Sequence, residues 1–130
     1  MPRSKDSGAP LALAVALTSC FVEEAVFRKF RMDSLQHRGY GVALQILASG
    51  LLFGAAHGIW GAFRGSFVAA AGAMVVTGLL GLALGAVYVA SSRILAPCVV
   101  AHFLINAFAE PGLVLAAVRG EMSAPLSSDT

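Results

Sequence analysis

Two glutamates, two histidines and an asparagine stand in sequence that is otherwise apolar: Glu23, Glu24, His57, His102 and Asn106. An ionisable side chain in hydrocarbon-like surroundings costs about 2.5–3.5 kcal/mol on insertion scales, so such residues tend to persist where they have a task. They fall in three phrases: Glu23-Glu24-Ala25-Val26-Phe27-Arg28, Phe53-Gly54-Ala55-Ala56-His57 and His102-Phe103-Leu104-Ile105-Asn106. A carboxylate or an imidazole can take a proton from water. An imidazole and a carboxamide can donate hydrogen bonds to an oxyanion. Those are the parts of a hydrolytic site.

The spacing sorts the residues further. Glu24 and Arg28, Phe53 and His57, and His102 and Asn106 are each four apart, so on helices each pair shares a face. Glu23 is turned about 100° from Glu24 and is free for a separate task. Each phrase alone has a plainer reading. The glutamates could mark a helix end neutralised by Arg28 and Lys29, His57 could be structural, and His102 with Asn106 could form a polar contact between helices.

The elements that must carry these phrases follow from composition. Of 130 residues, 58% are hydrophobic and 12% charged, with mean hydropathy +0.80. A soluble domain carries about 25% charged residues, so the chain reads as a membrane protein in one compact unit. The net charge of +2 is small and scattered, which argues against a nucleic-acid partner. Four apolar runs are expected to be helical: Leu11 to about Phe27, Gly41 to about Ile59, Ser66 to Ala90 and Ile94 to about Phe108. A span needs roughly 20 apolar residues. The third run meets this outright, and the others do so if their polar residues face inward.

Arg28 to Arg38 reads as a basic membrane-surface loop, Gly58 to Gly65 as a glycine-rich turn and Ser91-Ser92-Arg93 as a tight connection. The pairs Gly50/Gly54, Gly54/Gly58 and Gly81/Gly85 are GxxxG steps that favour close helix packing. Cys20 and Cys98 lack metal-ligand spacing and read as buried free thiols. Residues 1–10 form a polar tail, 11–118 the core, with a short apolar segment at Leu113 to Val118, and 119–130 a second polar tail. The fold expected is all-α, a polytopic membrane bundle of about four transmembrane helices around an intramembrane polar site.

The three phrases in this order, Glu-Glu-x-x-x-Arg, Phe-x-x-x-His and His-x-x-x-Asn, resemble the CAAX prenyl endopeptidase and bacteriocin-processing (CPBP, Abi) family of intramembrane proteases. The resemblance runs from about Cys20 to Phe108. It implies an endopeptidase acting on a membrane-associated peptide, a prenylated protein tail or a bacteriocin-type peptide. Glu23 with His57 would activate water, and His102 with Asn106 would hold the oxyanion. Glu24, Arg28 and Phe53 would give structural support.

No cofactor is required in this reading; the alternative is a zinc ion held by Glu23, His57 and His102. Further helices before the Glu-Glu pair are usual in the family, where this sequence has Leu11 to Val22. Membrane lipid, partner helices or a second copy are the expected partners, and a multi-pass integral membrane protein the expected setting (the cell membrane in a bacterium). A lipoprotein signal ending at Cys20 is a weaker reading, since it would leave three hydrophobic runs behind. The main alternative is a non-catalytic membrane subunit that binds an ion or proton, or serves assembly or self-immunity, through the same buried residues.

Overall fold

A computed structural model describes residues 8–63 and 65–109, and among them every regular element is helical. The first element, α1 (Gly8–Glu24), continues without a break through a π-helical turn, Ala25–Phe30, into α2 (Arg31–His37). Glu24 and Arg31, which flank the π turn, both have right-handed helical backbone. The expected surface loop from Arg28 to Arg38 is thus helix as far as His37. Its charges do not oppose this, because Lys29 pairs with Asp33 one turn on, at 2.8 Å. The helix stops at Gly39, whose φ of +82° suits the left-handed residue after a C-cap. Tyr40 N–H donates to Leu35 O and Gly39 N–H to Gln36 O, which satisfies the last carbonyls.

Helix α3 (Val42–Phe63) runs beyond the apolar stretch that ends near Ile59. Gly58 to Phe63, expected as a turn, is helical because its glycines pack against the next helix rather than bend. A Cβ on Gly61 would meet Ala70 Cα at 2.6 Å, and one on Gly58 the Met74 side chain at 3.2 Å. The turn comes at Gly65, with φ +78°, and Ser66 then caps α4 (Phe67–Ala90) by accepting from Ala69 N–H at 3.2 Å. The connection at Ser91-Ser92-Arg93 is as expected, and α5 (Leu95–Ala109) follows.

Helices α3 and α4 form a hairpin whose backbones touch. A Cβ on Gly54 would lie 2.6 Å from Met74 O, and one on Gly81 3.0 Å from Gly50 Cα. The GxxxG steps therefore make the seam, as such small residues do in membranes. Gly54→Ala should lower thermal stability by about 1–3 kcal/mol, since the seam must open to admit one methyl. A melt in detergent beside Gly72→Ala checks this, because a Cβ on Gly72 meets nothing within 4 Å.

Outside and inside are inverted relative to a soluble domain. Glu24, Arg28, Gln45, Ser49 and His102 are buried, whereas Leu51, Phe67, Val75, Val76 and Leu79 are exposed. Such a surface suits lipid. Among the described residues two helices, α3 and α4, are long and apolar enough to cross a membrane. Two of the four expected spans thus have the length; α1, with 17 residues, and the apolar part of α5, Leu95–Phe108, are shorter. The segment Leu113 to Val118 and the tail 119–130 lie outside the described residues.

Candidate active site

The three phrases meet where α1, α3 and α5 converge. Glu24 and Arg28 are fully buried, with Arg28 Nη1 donating to Glu24 Oε1 at 3.1 Å. Arg28 Nη2 donates to Gly81 O on α4 at 3.1 Å. Its guanidinium lies over the Phe53 ring, 4.6 Å from the centroid. Cation–π contact and two hydrogen bonds hold a buried charge that would otherwise be costly.

The same Glu24 Oε1 lies 2.8 Å from His102 Nδ1. A carboxylate oxygen only accepts, so Nδ1 carries the proton and Nε2 of the neutral ring is a bare acceptor. His57 reaches the same state independently: its Nδ1 is 2.9 Å from the Phe53 carbonyl oxygen, again an obligate acceptor. Both Nε2 atoms then face Glu23 Oε2, each at 3.8 Å. That oxygen is buried and has no hydrogen-bond partner among the described residues. Three lone pairs therefore point towards one small space, a place that calls for hydrogen-bond donors.

Phe53 organises the aromatic side. Its ring is buried against Phe27 (centroids 5.2 Å apart), His57 (4.4 Å) and His102 (5.6 Å). Of the candidate residues, Glu23, Glu24, Arg28, Phe53, His57 and His102 come together. Asn106, one turn beyond His102, has its carboxamide Nδ2 at Cys20 Sγ, 3.7 Å away. Glu23, His57 and His102 are metal-binding types. Among the described residues no group of three or more His, Cys, Asp or Glu side chains is arranged as a metal site.

Beside the site, an apolar groove of about 450 Å³ runs between the π turn and α3, lined by Val26, Phe27, Phe30, Leu52, Ala56 and Ile59 among others. Ala56 of its lining precedes His57 in the sequence.

Several residues that position the site were not found in the sequence. Gln45 and Ser49 are buried on α3, four apart and continuing the face of Phe53 and His57. Extending that four-residue spacing backwards would have found both. At the other end of the bundle, Asp33 Oδ1 accepts from Tyr88 Oη at 3.1 Å and Arg93 Nη1 at 2.9 Å. Arg93 Nη2 donates to Gln45 Oε1 at 2.5 Å. Burial pushes the Asp33 carboxyl up, but hydrogen bonds from Lys29, Arg93 and Tyr88 outweigh it and hold the group below its ordinary 3.8. Ser92 and Arg93 have left-handed φ values of 55° and 63°, unusual for residues with side chains. This strained turn brings Arg93 to Asp33 and Gln45. No sequence signal joined residues so far apart.

The description "Type II CAAX prenyl endopeptidase Rce1-like" belongs to a family model that matches residues 5–108. No curated protein and no solved structure matches the chain.

Proposed function

The chain belongs to the Rce1-like family of type II CAAX prenyl endopeptidases, and on that premise we propose that Glu23 and His57 activate water for peptide-bond hydrolysis within a membrane. The observation that carries this reading is the convergence of Glu23 Oε2 with the two imidazole Nε2 atoms. One water at about 2.8 Å from each of Glu23 Oε2 and His57 Nε2 could donate a hydrogen to both. Glu23 takes the proton as the water oxygen attacks the scissile carbonyl, and later returns it to the departing amine.

His102 stands on the other side of the same oxygen. In the free site its Nε2 is an acceptor; when substrate binds, Nε2 takes up a proton from solvent, and the resulting imidazolium donates Nε2–H to the oxyanion, its charge balanced by Glu24, which Arg28 holds in place. Asn106 supplies the second donor. Its contact with Cys20 is to a weak sulfur acceptor and is cheaply exchanged for a carbonyl oxygen. Glu24 is thus the positioning partner of His102 as well as of Arg28.

The substrate is a membrane-associated peptide, a lipidated protein tail or a bacteriocin-type peptide, whose apolar part lies in the groove beside Ala56. In this reading α1 and α5 join α3 and α4 to complete a four-span, multi-pass protein, with partner helices or a second copy covering α1. No step runs through a metal. Family membership favours hydrolysis over ion binding, assembly or self-immunity.

Cleavage of a fluorogenic farnesylated CaaX peptide by detergent-purified protein tests the reading. We expect turnover that survives a chelator and falls at least about 100-fold in His57→Ala. Wild-type turnover in that variant, or loss on chelation restored by zinc, would overturn it.

A further inference from the structure

We infer that Ser49 is a positioning residue for the active site: it holds open the π turn that keeps Glu23 and Glu24 in phase with the rest of their helix. The inference rests on the hydrolytic reading for its catalytic consequence, but not for its geometry.

Among the described side chains of the continuous helix the buried ones are Cys20, Glu24, Arg28 and Met32, each four residues from the last. Most of the residues between them, including Phe21, Val22, Val26, Lys29, Phe30 and Arg31, are exposed. On an α-helix a four-residue step overshoots a full turn by about 40°, so three steps would swing the stripe about 120° round the axis. Met32 could then not pack on Tyr88 and Cys98 while Glu24 meets His102. A π turn takes one more residue into the same rise, which winds the chain back by about 100°. Ala25–Phe30 therefore cancels the drift, and one face serves both ends.

Such a turn displaces backbone hydrogen bonds. Arg31 N–H donates to Val26 O and Arg28 O, and passes over Phe27 O, the acceptor it would have in an α-helix. Phe27 O accepts instead from Ser49 Oγ on α3 at 2.9 Å. Ser49 is fully buried, so its hydroxyl has few other partners to choose from. The bond across the helix interface replaces the one within the helix and favours the π form over the α form.

Deleting one residue should make the π turn unnecessary. Without Lys29 the buried positions fall at steps of four, four and three, so a regular α-helix brings Met32 back to within about 20° of Cys20 and keeps all four positions on a face about 80° wide. Lys29 is exposed, and Asp33 keeps its bonds to Arg93 and Tyr88 when it is removed.

The test reads register directly and activity separately. In an Asn106→Cys background, oxidation should join the introduced thiol to Cys20, whose sulfur lies 3.7 Å from Asn106 Nδ2. Adding Ser49→Ala should remove most of that disulfide. In the Asn106 background the same change should lower kcat/KM by about tenfold. Ser49→Ala with Lys29 deleted should regain both, and deletion of Lys29 alone should keep both.

Should Ser49→Ala not fold, the two deletion variants decide. Loss of the disulfide in a folded Lys29 deletion, or wild-type disulfide yield in Ser49→Ala, overturns the inference. A wild-type protein that cleaves no peptide while the disulfides follow this pattern sinks the hydrolytic reading and upholds the register.

Discussion

Glu23→Gln should reduce kcat/KM by about 10²- to 10⁴-fold, the usual contribution of a general base, with no loss of thermal stability. The amide is nearly isosteric with the carboxylate but cannot take a proton from water. Little structural is given up, because no histidine approaches Glu23 Oε2 closer than 3.8 Å, and among the described residues that atom has no hydrogen-bond partner to lose. Single-turnover cleavage and a melt on the same preparation separate the two effects. Near-wild-type cleavage would move the base elsewhere, and a large fall in stability would make Glu23 a structural residue.

Arg28→Met should have the opposite signature, a loss of about 3–5 kcal/mol in stability, as when one partner of a buried ion pair is removed. Arg28 is fully buried and holds Glu24, the Gly81 carbonyl and the Phe53 face together. Its removal leaves the Glu24 carboxylate enclosed with only His102 for company. Adding Glu24→Leu should restore much of the stability, because the orphaned charge goes with it. It should not restore turnover, since His102 then has no partner on Nδ1 and its tautomer is no longer fixed. Melting and cleavage of both variants check this, and recovered turnover in the double variant would deny Glu24 its positioning role.

The adjacent glutamates thus differ in kind, and the sequence already separated them through the spacing of Glu24 to Arg28. That spacing also located the pairs on α3 and α5, because an i,i+4 relation is local and survives any tertiary arrangement. What the spacing could not give was the partner of each group. The pairing of Glu24 with Arg28 gave no sign of the bond from Glu24 to His102, which spans 78 residues.

The helical course of Arg28 to His37 was hidden by charge, which reads as loop unless the Lys29–Asp33 pair is weighed. The helical course of Gly58 to Phe63 was hidden by glycine, which reads as turn unless a close helix neighbour is known. The π turn left one trace, the four-residue stripe through Cys20, Glu24, Arg28 and Met32. It becomes legible only when the same face is known to be buried along its whole length.

The α3–α4 seam has a mechanical consequence. Backbone rests on backbone at two points there, Gly54 against Met74 O and Gly50 against Gly81, with the Leu82, Phe53 and Met74 side chains packed close beside them. A joint without compliance moves as one plate. His57 and Phe53 belong to that plate, so they form the fixed jaw of the site. Glu23 on α1 and His102 on α5 sit on the helices packed against it, and any widening that admits a polypeptide must come from those two. On the proposed hydrolytic reading the work of opening is then done on the helices that carry the base and the oxyanion donor, and a substrate that fits poorly leaves them misaligned. Selectivity and rate would be set by the same displacement.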